Sequence, residues 1–377
     1  MPVHWILDDL RQLAATDRLR ERRPSPHRQG PYLTFPDGTR RLDLCSNDYL
    51  GLGALPQPSV STPTSSAASR LVSGDLAHHA SLEATLCDWL QTDAALLFTS
   101  GYAANVGALQ ALSGPDTVLL SDELNHASII DGCRLGRGRV VVTPHRQVDS
   151  VERALREAPE RRRIVVTDGL FSMDGDVAPL AELRRLCDAH DALLFVDEAH
   201  ALGVLGPEGR GAAAAAGVRP DILVGTLGKA LGAGGAFVAG AQELHDWLWN
   251  RARSFVFSTG LAPSLAATAQ LHLPQVRDGI RTAALHQIAR TFRTQLAKAG
   301  VEVLSDSCGP ILPVLLGAEG RALEAARRLG QLGYHVHPIR PPTVPRGTSR
   351  LRLTVRADLD PETLPAIAEA VRTALHP

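Results

Sequence analysis

A single lysine stands in a run of small residues between Asp221 and Gly240, in the sequence DILVGTLGKALGAGGAFVAG. The chain has only two lysines, Lys229 and Lys298, so the other 37 of its 39 cationic side chains are arginines. Arginine keeps its proton in proteins, whereas a desolvated lysine can release it, and the free amine can form a Schiff base with a carbonyl. Lys229 is therefore a candidate nucleophile. The alternative is a surface lysine in a glycine-rich turn.

A carboxylate and an imidazole lie three residues apart directly after the apolar run Leu193–Val196. They are Asp197 and His200, in the sequence VDEAH. A carboxylate at a strand tip can hold a cationic ligand, and the histidine can reach the same ligand. The alternative is a structural aspartate that caps the next helix. A Walker-type nucleotide site is excluded, because Ala230 rather than Ser or Thr follows the lysine.

Two other segments could bind a ligand, and each has a simpler alternative. Ser100–Asn105 (SGYAAN) joins a predicted strand to a predicted helix, whose first amides could bind an anion or could belong to an ordinary capped helix. His126 could lie flat on a planar ligand or could be a buried histidine with satisfied hydrogen bonds. The glycines of Leu231–Ala236 do not fit the dinucleotide spacing G-x-G-x-x-G, and they predict a tight return of the chain behind Lys229.

The elements that must position these residues alternate between short apolar runs and segments of helical periodicity. This pattern predicts an α/β fold with a mainly parallel mixed sheet flanked by helices. Ligands bind at the carboxyl ends of the strands in such sheets, and the polar residues above follow these runs directly. The predicted buried strands are Ala94–Phe98, Val118–Leu120, Val140–Val142, Ile164–Thr167, Leu193–Val196, Ile222–Val224 and Ala236–Ala239.

The chain is predicted to divide into three parts. Residues 1–45 should form an N-terminal helix and a short hairpin, residues 46–265 the large α/β domain, and residues 266–377 a smaller C-terminal α+β domain. In the last part we expect strands at Ile311–Leu315 and Arg350–Val355. The hairpin should turn at Pro36-Asp37-Gly38.

Helices are predicted at both ends of the chain. At the C-terminal end, Asp360 should cap a helix that begins at Pro361. Its buried face should carry Leu364, Ile367, Ala368 and Val371. The N-terminal helix should carry its apolar face at Ile6, Leu7, Leu10, Leu13, Ala14 and Leu19, with Arg20, Arg22 and Arg23 at its end and Pro24 beyond.

The composition excludes several other classes of protein. A net charge of −1 and an aromatic content of 4% argue against nucleic acid or an anionic membrane as the main partner. The five cysteines are scattered and form no CxxC pair, so we expect neither a metal site nor a disulfide framework. Acidic residues early in the chain exclude an apolar signal core, and no segment is apolar enough to cross a membrane. We therefore expect a cytoplasmic protein.

Five motifs in a fixed order resemble those of one enzyme family. SGYAAN, DELNHAS, DGLFSMDGD, VDEAH and TLGKALG are similar to motifs of the α-oxoamine synthases, which are pyridoxal-phosphate enzymes of the aspartate-aminotransferase fold, fold type I. The resemblance covers the chain from about residue 15 to its end. It implies that residues 46–265 bind pyridoxal 5'-phosphate and that the protein is a homodimer with shared active sites.

The resemblance also implies a role for individual residues. Lys229 should form the Schiff base with the cofactor, and Asp197 should keep the pyridinium nitrogen protonated. His200 should bond to the ring oxygen, and His126 should stack on the ring and contact the substrate. The remaining cofactor contacts should come from Gly101, Tyr102, Ser172 and Thr226, together with Ser258 and Thr259 of the partner subunit.

Two segments resemble the members of this family that condense L-alanine with a pimeloyl thioester. They are SNDYLGL and Ile339–Thr354 (IRPPTVPRGTSRLRLT). The acyl donor could be pimeloyl-CoA or a pimeloyl-acyl carrier protein, and Arg134–Arg139 and Arg161–Arg163 could meet an acidic carrier or simply be solvated. The alternative reaction joins glycine to acetyl-CoA. The implied substrate contacts are Arg20, Asn47, His126, Arg340, Thr343 and Arg352, of which Arg352 suits the alanine carboxylate.

One region departs from the family pattern. Many relatives carry a glycine-rich run before RLVSG, where this chain has Ser65-Ser66-Ala67-Ala68-Ser69. The preceding segment, Ala54–Thr64, is several residues short and rich in proline. The pattern predicts a loop over residues 53–69, and it leaves open how this loop closes next to the site and whether it is ordered without substrate.

Overall fold

The computed structural model describes residues 4–20, 25–55, 62–304 and 306–376. The chain divides into two compact units. The first unit comprises Met1–Asn47, Met173–Gly175 and Ala284–Pro377, and the second comprises Asp48–Ser172 and Asp176–Ala283. The three-part division expected from the sequence stays a prediction.

The described residues form fourteen strands and thirteen α-helices. The strands are β1 His27–Gln29, β2 Tyr32–Thr34, β3 Arg40–Asp43, β4 Ala94–Phe98, β5 Thr117–Asp122, β6 Arg139–Thr143, β7 Arg162–Asp168, β8 Leu193–Asp197, β9 Ile222–Thr226, β10 Ala236–Gly240, β11 Ile311–Gly317, β12 Tyr334–His335, β13 Pro338–Ile339 and β14 Ser349–Thr354. The helices are α1 His4–Ala15, α2 Ala77–Leu90, α3 Gly101–Leu112, α4 Ala127–Leu135, α5 Val148–Glu157, α6 Leu180–Ala189, α7 Ala212–Ala215, α8 Gln242–Arg251, α9 Arg253–Val256, α10 Pro263–Arg277, α11 Ile280–Lys298, α12 Glu319–Gln331 and α13 Leu364–Leu375.

The second unit is built on a seven-stranded sheet with the order β4-β10-β9-β8-β7-β5-β6. Only β10 runs antiparallel to its neighbours, so the predicted mainly parallel mixed sheet is confirmed. Its central strands are apolar on both faces, because helices cover both sides of such a sheet. The parallel strands therefore deliver Asp122, Asp168, Asp197 and Thr226 to one edge.

One predicted strand differs in its surroundings. Val140–Val142 was expected to be buried, but β6 lies at the end of the sheet and pairs only with β5. Val140 is 36% exposed and Val142 is 64% exposed. An apolar run of three residues reads the same at the edge and in the centre of a sheet, so that prediction was wrong about burial.

The first unit contains two small sheets. In one, β14 lies between β11 and β13, and all three strands are antiparallel to their neighbours. In the other, β2 and β3 form the predicted hairpin, with Gly38 at a φ of 81° and the Asp37 carboxylate accepting the Thr39 N–H at 2.9 Å. The predicted C-terminal helix is confirmed, although its α-helical part begins at Leu364: Asp360 accepts the Glu362 N–H at 2.9 Å and caps a 3₁₀ turn, Pro361–Thr363, that leads into α13. The helix buries Leu364, Ile367, Ala368 and Val371.

The N-terminal helix is shorter than expected and buries none of its side chains. Asp17 takes a left-handed φ of 55°, and the N–H groups of Arg18 and Leu19 donate to the Leu13 carbonyl, which ends the helix. Leu19 and Arg20 consequently lie beyond it, so the prediction that they belong to the helix was wrong. Arg22, Arg23 and Pro24 lie outside the described residues, as do residues 56–61 of the predicted loop.

Candidate active site

Lys229 lies in the tight connection between the antiparallel strands β9 and β10. The Leu227 N–H donates to the Gly235 carbonyl at 2.9 Å, which closes the loop. Gly232 and Gly235 have φ values of 59° and 101°, a conformation that glycine adopts without strain. A Cβ at Gly232 would collide with the backbone of Gly53. The glycines therefore do form the predicted return, and the lysine they present is half-buried.

Asp197 ends β8 as a buried carboxylate with two hydrogen-bond donors. One oxygen accepts the Ala199 N–H at 2.8 Å, and the other accepts the Asn105 side-chain amide at 2.6 Å. Residues 198–206 form turns and one isolated bridge rather than a helix, so the alternative of an aspartate that caps the next helix was wrong. Its second oxygen is held by a side chain 92 residues earlier in the sequence, which a purely local cap would not need.

A second buried carboxylate, Asp168, is paired with Asp197 across the sheet. It accepts the backbone N–H of His126 at 2.7 Å and so fixes the start of α4. Burial, together with the charge of Asp197, raises the pKa of Asp168 well above its usual range. The charge of Lys229 acts on the same group in the opposite direction, which places the lysine within electrostatic reach of this pair.

His126 caps α4 through its own ring. Its Nδ1 accepts the Ser128 N–H at 3.3 Å and lies 2.7 Å from the Ser128 hydroxyl. Burial lowers the pKa of His126; Asp197 opposes this change and Lys229 reinforces it. The pKa of this solvent-exposed histidine is therefore lowered from its ordinary value, and its ring lies within electrostatic reach of both predicted catalytic groups. The ring has the hydrogen-bond partners of the first interpretation, but the residue is exposed rather than buried, so the ligand contact stays a prediction.

His200 is buried and held by a tyrosine that the sequence analysis missed. Its Nδ1 lies 2.7 Å from the hydroxyl of Tyr49, which is fully buried. Tyr49 belongs to SNDYLGL, so the motif was recognised but this residue was not singled out. Asn105 and Ser128 were likewise overlooked inside SGYAAN and DELNHAS.

The start of α3 meets the end of β9. Ser100 caps the helix by accepting the Ala103 N–H at 3.1 Å, which leaves the N–H groups of Gly101 and Tyr102 in the first turn. A Cβ at Gly101 would lie 2.6 Å from the Thr226 Cγ2, so only glycine allows this approach. The first-turn amides of this twelve-residue helix, beside Thr226, can bind an anion.

Three other predicted cofactor residues lie on loops of the second unit. Ser172 follows β7 in a loop closed by the Leu170–Val177 bridge, and it is half-buried. Ser258 and Thr259 lie between α9 and α10, where Ser258 is half-buried and Thr259 is exposed.

The predicted substrate residues of the first unit form hydrogen bonds within that unit. The Arg20 guanidinium donates to the Thr343 hydroxyl at 3.0 Å, and the buried Arg352 donates to the Asn47 side-chain oxygen at 3.1 Å. Arg340, also buried, donates to a backbone carbonyl just after α1. The fold therefore gives each of these five residues a hydrogen bond to a partner that is distant in the sequence.

Among the described residues, one group has the composition of a metal site: Asp43, Cys45 and His335, whose ligand atoms lie within 4.8 Å of one another. The Arg28 guanidinium donates to the Asp43 carboxylate at 2.5 Å, and the Cys45 thiol donates to it at 3.1 Å. Burial and the Asp43 charge raise the pKa of Cys45 well above its usual value. The side chains of Arg28, Asp43 and Cys45 therefore belong to one hydrogen-bonded cluster in which the Asp43 carboxylate accepts from both Arg28 and Cys45.

No helix within the described ranges combines the length and the apolar character needed to cross a membrane.

Comparisons with known proteins agree on one family. A family model for class I and II aminotransferases matches residues 39–371. An 8-amino-7-oxononanoate synthase of Anaeromyxobacter dehalogenans (strain 2CP-1 / ATCC BAA-258) is 48% identical over 368 residues, which cover 95% of this chain and 92% of the relative. The chain therefore belongs to the class I and II aminotransferase family, and its resemblance to the α-oxoamine synthases is confirmed.

Solved structures share the fold over nearly the whole chain. Serine palmitoyltransferase from S. paucimobilis with a bound PLP–myriocin aldimine has a TM-score of 0.90 and 26% identity, covering 99% of this chain and 97% of its own. An 8-amino-7-oxononanoate synthase from Francisella tularensis has a TM-score of 0.73 and 24% identity, covering 88% and 97% respectively, and shows the likeness of fold. The predicted α/β fold of type I is confirmed.

Proposed function

We propose that this protein carries out the 8-amino-7-oxononanoate synthase reaction of biotin biosynthesis, using pyridoxal phosphate. L-Alanine condenses with a pimeloyl thioester, and carbon dioxide and the free thiol are released. The observation that carries the proposal is a half-buried Lys229 near Asp197 and His126, in a chain 48% identical to a synthase of that name. The glycine and acetyl-CoA alternative has no comparable support among the relatives reported above.

The residues of the second unit fit pyridoxal phosphate. Asp197 offers a buried carboxylate that would hold a protonated ring nitrogen, and Lys229 offers an amine for the aldehyde. The amides of Gly101 and Tyr102, next to Thr226, would hold the phosphate. His200 would bond to the ring oxygen, oriented by the tyrosine hydroxyl described above.

When bound, pyridoxal phosphate supplies an electron sink that stabilises negative charge at the alanine Cα. The side chains of the protein then move and hold protons. The Lys229 amine removes the Cα proton and returns a proton after loss of carbon dioxide. His126 covers one face of the reacting group and excludes water there. Arg352 would clamp the alanine carboxylate with its guanidinium, with Arg20, Asn47, Arg340 and Thr343 as further substrate contacts.

We further propose a cytoplasmic homodimer in which Ser258 and Thr259 of the partner subunit reach the phosphate, and Ser172 contacts the ring. The basis is the resemblance of Phe257–Thr259 (FST) and of DGLFSMDGD to the corresponding segments of the α-oxoamine synthases. Size-exclusion chromatography with light scattering tests the dimer, and an elution as a monomer under assay conditions would contradict it.

The test of the reaction uses purified protein with pyridoxal phosphate. Alanine is supplied with pimeloyl-CoA or with a pimeloyl-acyl carrier protein, and glycine is supplied with acetyl-CoA in parallel. We expect 8-amino-7-oxononanoate by mass spectrometry and one carbon dioxide per product from alanine. A product that keeps its carboxylate, formed from glycine and acetyl-CoA alone, would reject the proposal.

A further inference from the structure

Four side chains form one continuous hydrogen-bonded chain across the floor of the candidate site. The Asn105 amide nitrogen lies 2.6 Å from an Asp197 carboxylate oxygen and 2.8 Å from the Ser128 hydroxyl. The Ser128 hydroxyl lies 2.7 Å from Nδ1 of His126. Asn105 and Ser128 are each 1% exposed, so solvent does not compete for these contacts. The chain joins three elements of the second unit: α3, α4 and the end of β8.

The direction of each hydrogen bond in this chain is determined by one backbone group. The Ser128 N–H is a fixed donor and points at Nδ1 of His126, so Nδ1 must be the unprotonated nitrogen of the ring. The Ser128 hydroxyl can then donate its own proton to Nδ1, and its oxygen accepts from Asn105. The second amide proton of Asn105 goes to the Asp197 carboxylate.

The alternative orientation of the Asn105 amide is unfavourable. A flip would place its oxygen 2.6 Å from a carboxylate oxygen of Asp197, so that two acceptors would face each other. The orientation present leaves the Asn105 Oδ1 buried without a partner. Leaving a buried acceptor without a partner is unfavourable, and a group that carries this cost calls for a reason. Serving two acceptors with one amide nitrogen is such a reason.

We infer that Asn105 and Ser128 are positioning residues that hold His126 as the neutral tautomer with its proton on Nε2, and that they tie this tautomer to the carboxylate of Asp197. The inference rests on the proposed function for its consequence: the ring that covers the reacting group offers an N–H donor and no basic nitrogen toward it. The charged groups that act on His126 are Asp197 on β8, Lys229 in the β9–β10 loop and Asp131 on α4, while Asp168 holds its backbone N–H.

The test is a nuclear magnetic resonance titration of the full-length protein labelled with ¹⁵N at histidine, with and without pyridoxal phosphate. His126→Asn identifies the signals of His126 among the fourteen histidines. In the neutral form we expect a proton on Nε2 alone. Ser128→Ala should give a mixture of tautomers and raise the midpoint of the His126 titration by about 0.5–1 pH unit, because the neutral ring loses a donor. Asn105→Ala should shift the midpoint in the same direction by less.

Ser113→Ala is the matched control. Ser113 is a buried serine at the end of α3 whose hydroxyl accepts the Gly138 N–H at 2.9 Å, far along the helix from Asn105. This variant should leave the His126 signals unchanged. A proton on Nδ1 in the wild-type protein would overturn the inference, even if Ser128→Ala does not fold. An unchanged tautomer and midpoint in a folded Ser128→Ala would overturn it as well.

The two proposals fail in different ways. The tautomer is measured without any turnover, so a protein that makes no 8-amino-7-oxononanoate but shows the Nε2 proton would reject only the proposed function. A protein that makes the product while His126 carries its proton on Nδ1 would reject only the positioning role.

Discussion

Two histidines of the second unit lie close to carboxylates, and nevertheless their pKa values shift in opposite directions. His126 contacts Asp197 only through Ser128 and Asn105, and burial lowers its pKa. His145 bonds directly to Asp122 at 3.0 Å and to Asp176 at 2.8 Å.

The direct contacts decide the charge of the second histidine. Burial opposes protonation of His145, but the hydrogen bonds to Asp122 and Asp176 outweigh it and raise the pKa of His145 to about 9. The difference between the two rings teaches that direct hydrogen bonds to carboxylates outweigh burial, whereas the more distant charge of Asp197 does not. It also separates a histidine suited to the reaction from one that stabilises the fold.

The largest expected effect comes from the lysine near His126. Lys229→Ala should lower turnover on the order of 10³-fold or more, because the amine that moves the Cα proton is lost. The same change should raise the pKa of His126 in protein without pyridoxal phosphate, since the charge of Lys229 lowers it. The measurements are product formation and the histidine titration described above.

Lys298→Ala is the control for this change, because Lys298 is the other lysine of the chain and is exposed at the end of α11. It should retain the visible absorbance of the bound cofactor and the turnover of the unmodified protein. Near-normal turnover by Lys229→Ala would contradict the central assignment.

His145→Gln should reduce stability in a way that depends on pH. The pKa of about 9 in the folded protein exceeds the usual 6.5, so the contribution is complete below pH 6.5 and is lost as the pH rises through about 9. We expect a loss of about 1–3 kcal/mol in the free energy of unfolding at pH 7, after allowance for partial exposure of the ring. Urea denaturation at pH 6, 7 and above 9 measures it.

His376→Gln, at an exposed position beyond α13, serves as the control for this titration. A difference between His145→Gln and the unmodified protein that stays the same from pH 6 to above pH 9 would show that His145 is not stabilised as a cation.

A third histidine, His200, bonds to a neutral hydroxyl instead of a carboxylate. Tyr49→Phe removes the hydroxyl that lies 2.7 Å from Nδ1 of His200 and leaves the buried ring of residue 49 in place. We expect kcat to fall about fivefold and the pH midpoint of the cofactor absorbance to shift, because one hydrogen bond is worth about 1 kcal/mol. Unchanged absorbance and kcat would mean that the hydroxyl does not orient His200.

The smallest expected effect concerns Asp131, which raises the pKa of His126 from the surface of α4. Asp131→Asn should lower the His126 midpoint by a few tenths of a pH unit, since exposed charges interact weakly. The shift should shrink further at 1 M salt. A rise in the midpoint would contradict the electrostatic account of why His126 is neutral.

Part of this site could be predicted from the sequence because its signals are local. Lys229 stands out among arginines, and Asp197 follows an apolar run that becomes β8. Asn105, Ser128 and Tyr49 act through other residues, and their partners become neighbours only when the sheet forms. The roles assigned to the site residues remain predictions.

The errors in the predicted fold have the same origin. Val142 was expected inside the sheet because an apolar run does not reveal how many strands will flank it. The N-terminal helix was extended to Leu19 because the left-handed turn at Asp17 has no strong signal in the sequence. Where the sequence carries a capping residue, as with Asp360 before Pro361, the start of the helical segment was predicted correctly.

The glycine pair at positions 53 and 232 has a mechanical consequence. Because backbone meets backbone there, the loop that presents Lys229 rests on the same short segment, residues 48–53, that carries Tyr49. A displacement of this segment would move the amine and release His200 together. Residues 48–53 thus support both side chains. A bulky residue at position 53 should therefore displace Lys229 and His200 together.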